Sequence, residues 1–384
     1  MTSLVLPDDL VLSILLWLPV SSLLRFKSVC KSWFNLIQTP SFIYHHLHLH
    51  HHSNNSNYKA FAFNPLGSLS YGLPTLCLFS PHNFDFDIPP LFLHIDSPVS
   101  LFHNLDILTC NGLICIHFTD KHFVDNKYVS LWNPATKQLK HLPQSPFQHP
   151  PLNVCPITVV GFGFHTNPND FKLVRIISFF PAFPGVNHVE TYSLLTNSWT
   201  SLDSVVLPVD FILPDCDPKA PYRNGIYCWL GRKGPVVFGD DRVLLSNNII
   251  LWFDFTKEEF GTMPLPDVDS VKSCTLPNIC IVRDNLACMN TAGDPLHFEI
   301  WVLNEFGVQQ SWSRLHKVEP FSMSNLIGIS KDGNYLLFAM DFQQLGRYHL
   351  VTQQVTTLSV HKDLFRTRII NACTLYKESL VLLE

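Results

Sequence analysis

A chain of 384 residues is too long for one ordinary core, so its length points to two or three domains or to one large repetitive one. Apolar residues make up 46% of it and charged residues 15%, which excludes a disordered chain. The net charge is −5 and no stretch gathers the Lys and Arg that a phosphate backbone requires, so nucleic acid is not expected as a partner.

The first elements read as helices. Pro7 followed by Asp8 and Asp9 suits a helix start, where proline is tolerated and acidic groups meet the positive end of the dipole. Residues 10–18 are apolar except for Ser13, and Pro19 stops the helix. The run has no basic leader and is far shorter than the ~20 residues that span a bilayer, so neither a signal peptide nor a membrane segment is expected. A second helix carries Leu23, Phe26, Cys30, Trp33 and Ile37 at spacings of three and four against a polar stripe of Ser28, Lys31, Ser32 and Asn35. Thr39-Pro40 supplies the cap and first residue of a short third helix bearing Phe42 and Ile43. The first helix is apolar on every face, and a helical unit this small cannot cover it. An external protein surface is expected to do so, the alternative being the chain's own later domain.

The residues Leu6-Pro7-Asp8-Asp9-Leu10, Ile14-Leu15, Leu18-Pro19-Val20, Ser22-Leu23-Leu24-Arg25-Phe26-Lys27, Val29-Cys30-Lys31-Ser32-Trp33 and Phe42 resemble an F-box in order and spacing, most closely the F-boxes of plant proteins. The resemblance implies that apolar side chains insert into a Skp-type adaptor, which joins a cullin scaffold. The implied contacts are Leu6, Pro7, Ile14, Leu18, Pro19, Leu23, Leu24, Val29, Cys30 and Trp33. Ser13 and Ser21 depart from the pattern, which commonly has an acidic and a basic residue there.

Residues 1–48 are thus expected to form a three-helix F-box and residues 49–57 a His/Asn-rich linker; the polar stretch itself begins at His45. Residues 58–384 are expected to be all β, since 30 Phe and 28 Pro against 16 Gly favour strands broken by turns. Strand, turn and returning strand recur around the aromatic anchors Trp132, Tyr192, Trp252, Trp301 and Tyr348, which are 60, 60, 49 and 47 residues apart. Each anchor follows a further apolar run: Asn111-Gly112-Leu113-Ile114, Gly161-Phe162-Gly163-Phe164, Asn224-Gly225-Ile226-Tyr227, Asp284-Asn285-Leu286-Ala287 and Asp332-Gly333-Asn334-Tyr335. Two hairpins per period make a four-stranded blade, so the fold expected is an α+β multidomain chain whose large part is a β-propeller of about six blades. A sixth blade would be shared between strands near residues 58–80 and terminal strands at 369–376 and 379–383. The pattern resembles the F-box-associated domain of plant F-box proteins, a group that includes the S-locus F-box and F-box/kelch-repeat proteins.

The 11 Cys are an odd number with no Cys-x-x-Cys pair, and many lie in apolar runs, which points to free buried thiols in a reducing compartment, cytoplasmic or nuclear. His45, His46, His48, His50, His51 and His52 have the density of a metal tract but no rigid frame or acidic partner, so no metal is expected. Asp85/Asp87, Asp215/Asp217 and Asp267/Asp269 read as turn carboxylates. Gly161-Phe162-Gly163 lacks the third glycine of a dinucleotide fingerprint, and no hydrolase, metalloprotease or phosphate-loop motif is present. No catalytic residue and no cofactor is therefore expected, and the resemblance implies a non-catalytic substrate adaptor of a ubiquitin ligase. The alternative is a propeller enzyme or lectin with an F-box-like helical extension. Recognition of the protein substrate is expected in the long inserts at 143–156, 179–188 and 205–222, with Phe180 and Phe183 as candidate anchors.

Overall fold

The computed structural model describes residues 6–51, 59–64, 75–79, 91–92, 104–119, 129–147, 157–179, 186–202, 205–212, 222–233, 248–267, 277–292, 297–318, 325–330, 332–340, 344–358 and 372–383. Four helices come first, where three are expected: α1 (Asp8–Leu16), α2 (Val20–Phe26), α3 (Lys31–Gln38) and α4 (Pro40–His51). The expected second helix is two, because Cys30 is extended (φ −158°, ψ 162°) and caps α3, its Sγ accepting from Trp33 N at 3.5 Å. The expected short third helix instead runs for 12 residues and takes in most of the histidine tract. Thr39 Oγ1 caps it by accepting from Phe42 N at 3.3 Å. Phe42, Ile43, His46 and Leu47 then form a buried stripe, and His46 Nε2 donates to Leu18 O at 2.9 Å. The expected linker therefore begins inside α4, and residues 52–58 lie outside the described residues.

The strands form six antiparallel sheets among the described residues. The first three strands are β1 (Lys59–Asn64), β2 (Thr75–Phe79) and β3 (Leu91–Phe92). Five sheets are then built from strands consecutive in sequence. The first of these holds β4 (Asn104–Cys110), β5 (Leu113–Thr119), β6 (Val129–Asn133) and β7 (Gln138–His141), and the second β8 (Ile157–Thr166), β9 (Asn169–Ser178), β10 (Asn187–Ser193) and β11 (Ser198–Ser201). The next has β12 (Phe211–Ile212) and β13 (Tyr222–Arg223) both pairing β14 (Ile226–Arg232), followed by β15 (Asn248–Asp254) and β16 (Glu259–Pro264). The last two are β17 (Asn278–Val282), β18 (Asn285–Ala292), β19 (His297–Leu303) and β20 (Trp312–Val318), and then β21 (Asn325–Ile329), β22 (Tyr335–Ala339), β23 (Leu345–His349) and β24 (Gln354–Leu358). The remaining sheet joins both ends of the domain, in the order β25 (Ala372–Tyr376), β1, β2, β3, with Phe61 opposite Thr374. β25 lies beside β4, β4 beside β8, β8 beside β14, β17 beside β21 and β21 beside β25. Cys228, Leu230 and Ile250 share a core with Ile279, Leu286 and Leu303, which completes the ring.

The anchors Trp132, Tyr192, Trp252, Trp301 and Tyr348 all stand on the third strand of a sheet, as expected. The turn after that strand is formed by the side chain at its end: Asn133 Oδ1 accepts from Ala135 N at 3.0 Å, and Asp254 Oδ1 from Thr256 N at 2.8 Å. Four of the five expected turns fall between two paired strands: Asn111-Gly112 and Asn224-Gly225 are as read, with both residues at positive φ, the turn read at Asp284-Asn285 is one residue earlier at Arg283-Asp284, and Asp332-Gly333 turns with Gly333 at positive φ. Gly161-Phe162-Gly163-Phe164 is different. It lies within β8, the first strand of its sheet, and the second strand is β9. Gly161 is required there because Trp229 of the neighbouring sheet packs on its backbone, 2.6 Å from where a Cβ would sit.

The closing strand is β25 rather than residues 379–383, which form no strand. That stretch is extended and buried: Ser379, Leu380, Val381 and Leu383 have 1%, 1%, 3% and 7% exposure. It crosses the β4–β5 turn, where a Cβ on Gly112 would lie 2.3 Å from Ser379 Cβ.

Candidate interaction surfaces

The helices present a two-sided α1. Leu15 and Leu16 are buried among Val20, Leu23, Ile37, Phe42 and Ile43. Leu10, Ile14 and Trp17, one stripe at spacings of four and three, are 52%, 52% and 66% exposed. Large apolar side chains grouped in water mark a protein interface. Of the residues implied as adaptor contacts, Leu6, Pro7, Ile14, Pro19, Val29 and Cys30 are exposed, and Leu18, Leu24 and Trp33 are half-buried. Leu23 is wholly buried inside the helical unit and holds α2 to its neighbours. Leu10, Trp17 and Phe34, exposed here, are not among the residues implied as adaptor contacts. The signal for Leu10 and Trp17 was their helical spacing about Ile14.

The helices attach to the β-domain through α4. Tyr44 and His48 both meet Phe164 of β8, with ring centroids 5.9 and 6.2 Å apart, and Phe164 lies edge-on to Phe171 of β9 at 4.9 Å. Burial and the nearby Asp170 carboxylate push the Tyr44 hydroxyl above its ordinary value. This contact is at the β8–β9 turn, so the helices occupy that end of the sheet.

The chain enters β8, passes from β9 to β10 and leaves β11 at the opposite end of the same sheet, where the described parts of the inserts adjoin it. Glu190 of β10, 1% exposed, organises what is described of them. Arg175 Nε donates to Glu190 Oε1 at 2.6 Å, the guanidinium lies 4.4 Å from the centre of the Trp199 ring, and Ser145 Oγ donates to Glu190 Oε2. Burial lowers the Arg175 guanidinium from its ordinary value, and the attraction and hydrogen bond of Glu190 oppose that shift. Trp199 Nε1 donates to Pro143 O at 2.7 Å, and Phe147 stacks on His188 at 3.6 Å. Val186 and Val206 stand out at this end, 52% and 89% exposed, whereas Leu207 and Val209 pack into the core. Phe180 and Phe183 lie outside the described residues.

Of the described cysteines, Cys110, Cys115, Cys228, Cys280 and Cys288 are buried thiols in no disulfide, and Cys30 is an exposed one. His45 and His48 are exposed while His46 is buried, and no group of three His, Cys, Asp or Glu able to hold a metal exists among the described residues. Asp267 is exposed, and the other members of the Asp-x-Asp pairs fall outside the described residues. No helix among the described residues is long and apolar enough to cross a membrane. A cavity of about 170 Å³ between the sheets of β14 and β18 is lined by Ile226, Cys228, Ile281, Leu286 and Leu303. That is below the roughly 300 Å³ at which small-molecule sites begin.

Comparison with known proteins follows this division of the chain. A family model described as the F-box associated beta propeller domain matches residues 86–381, and one described as the F-box domain matches residues 3–45. F-box protein CPR1 of Arabidopsis thaliana is 24% identical over 371 residues, covering 92% of this chain and 84% of the relative. An F-box/kelch-repeat protein of the same plant is 27% identical over 315 residues, covering 81% of this chain and 78% of the relative. Among solved structures, a putative 6-phosphogluconolactonase from Bacteroides fragilis aligns with a TM-score of 0.41 and 11% identity over 84% of this chain and 99% of its own. With α1 to α3 and the start of α4 in one match and most of the sheets in the other, the chain belongs to the family of F-box proteins that carry an F-box associated beta propeller domain.

Proposed function

We propose that this F-box protein is a substrate-recognition adaptor of a Skp, cullin and F-box ubiquitin ligase, non-catalytic itself, that works in the cytoplasm or nucleus. The observation that carries the reading is the stripe of Leu10, Ile14 and Trp17, which stays in water although α1 has already buried Leu15 and Leu16. A Skp-type subunit covers that stripe. A target protein binds at the insert-bearing end of the β8–β11 sheet, where Val186 and Val206 stand on a frame fixed by Glu190. One sheet thus holds the helices at one end and presents the target at the other, so adaptor and target do not compete for surface.

The decisive experiment is capture of a recombinant Skp-type subunit by the full chain, followed by ubiquitination of co-captured proteins with cullin and conjugating enzyme added. Binding by the wild type and its loss in an Ile14→Glu, Trp17→Glu double variant with unchanged circular dichroism supports the reading. Failure of the wild type to bind any Skp-type subunit refutes it and leaves a propeller enzyme or lectin to be tested instead.

A further inference from the structure

We propose that Ser145 is a phosphorylation site of a proline-directed kinase, and that phosphate on Ser145 releases segment 143–147 from the β8–β11 sheet. Ser145 is followed by Pro146, one of four such Ser/Thr-Pro pairs in the chain with Thr39-Pro40, Ser80-Pro81 and Ser97-Pro98. A proline at that place biases the preceding residue to extended backbone, the form in which an acceptor segment lies across a kinase. Thr39 is committed to capping α4, and Ser80 and Ser97 lie outside the described residues. Ser145 differs from Thr39 in what its hydroxyl holds, namely a buried carboxylate.

Contacts at both ends and the middle fasten the segment, and Ser145 makes the middle one. Pro143 O accepts from Trp199 Nε1 at 2.7 Å; Ser145 Oγ donates to Glu190 and also accepts from Phe147 N at 3.0 Å; and the Phe147 ring lies on His188 at an interplanar angle of 9°. Pro143, Gln144 and Pro146 are exposed, and Ser145 itself is half-buried. A kinase therefore finds exposed flanks and reaches the hydroxyl when the segment lifts briefly.

In the transfer, Ser145 Oγ forms a bond to the γ-phosphorus of ATP, the bond from that phosphorus to the ADP oxygen breaks, and the hydroxyl proton passes to the kinase's base. The product has no proton to donate to Glu190 and brings about −1.5 to −2 of charge against a carboxylate. Arg175 cannot absorb it. Arg175 is 4% exposed, its guanidinium lies over the Trp199 ring, and it is already paired with Glu190. A dianion cannot follow it into that site without losing its water. Like charge and desolvation together expel the segment, and the end of the sheet assigned above to the target changes shape. Only this last consequence rests on the proposed target face.

The test uses the full chain, a purified proline-directed kinase and ATP, with phosphate located by mass spectrometry and the Phe147 amide followed by hydrogen exchange. Phosphate on Ser145, its absence from Ser145→Ala, and on the order of tenfold faster exchange at Phe147 in both the phosphorylated chain and Ser145→Asp are expected. No phosphate on Ser145 overturns the site, and phosphate with unchanged exchange at Phe147 overturns the release. Capture of the Skp-type subunit by Ser145→Asp is run alongside and is expected to match the wild type. Both readouts are taken on the isolated chain, so their failure is distinct from a failure of adaptor binding.

Discussion

Asn133 ties the C-terminal stretch to the ring: its side-chain nitrogen donates to Ser379 O at 3.1 Å and to Val381 O at 2.7 Å while its oxygen shapes the β6–β7 turn. The residue is fully buried, so both carbonyls depend on it. Asn133→Ala leaves two carbonyls without a donor, at roughly 1–3 kcal/mol each. Urea denaturation is expected to show a loss of about 2–6 kcal/mol. Gly112→Ala is expected to be comparably harmful, because φ is +86° there and Ser379 already fills the space of a Cβ. Stability equal to wild type in both variants shows that the stretch is not anchored by this residue.

The helical surface separates contact from folding. Trp17→Ala removes an exposed ring and is expected to weaken capture of the Skp-type subunit by about 2 kcal/mol or more, roughly 30-fold, as truncation of a central aromatic anchor does. Its melting temperature should stay within error of wild type. Leu23→Asp places an unpaired charge in a fully buried position and is expected to unfold the helices outright. Isothermal titration calorimetry and thermal melts on the two variants check the contrast.

Phe164 is the residue through which α4 grips the β-domain. Phe164→Ala is expected to cost about 3–5 kcal/mol in the local packing and to raise hydrogen exchange along α4 while β14–β16 stay protected. Equal protection of α4 in variant and wild type shows that the helices are held by other contacts.

Buried thiols give the chain a stability that declines on the alkaline side. Burial pushes Cys228 and Cys280 up to about 12 and Cys288 higher still. The folded values lie above the unfolded value of about 8.5, so the unfolded chain loses protons first as pH rises. The contribution is whole below about 8.5 and falls from there toward 12. Urea midpoints at pH 7, 9 and 10 are expected to decrease in that order. At pH 8, iodoacetamide is expected to modify Cys30 at once and Cys228, Cys280 and Cys288 after unfolding only.

Much of this organisation was legible in the sequence because it rests on local rules. The anchors from Trp132 to Tyr348 and the Asn-Gly turns at 111 and 224 repeat a pattern set by strand alternation and by which residues tolerate positive φ. The helical unit was legible from its apolar spacing. What was not legible depends on partners distant in sequence. His46 and Leu47 extend α4 into a tract that looks polar, because Leu18 O and the face of the β8 strand receive it. Gly161 reads as a turn residue but sits under Trp229 from another sheet. Residues 379–383 have the composition of a strand, yet Asn133 takes the carbonyls that a neighbouring strand would have used. Phe180 and Phe183, the anchors suggested by composition, have no described placement, whereas Val186 and Val206 do.

The pairing of β1 with β25 means that the first strand of the ring has to wait for the last. During synthesis β1 leaves the ribosome long before β25 exists, and in that interval it presents an open edge suited to pairing with any other strand in the cell. The five sheets of consecutive strands have no such delay, since each finds its partners within a few dozen residues. Closure is therefore the step at which exposed edges are most open to chaperones and proteases. A destabilising substitution in β25 is expected to lower the chain's abundance in the cell even where every binding surface of the finished molecule is intact.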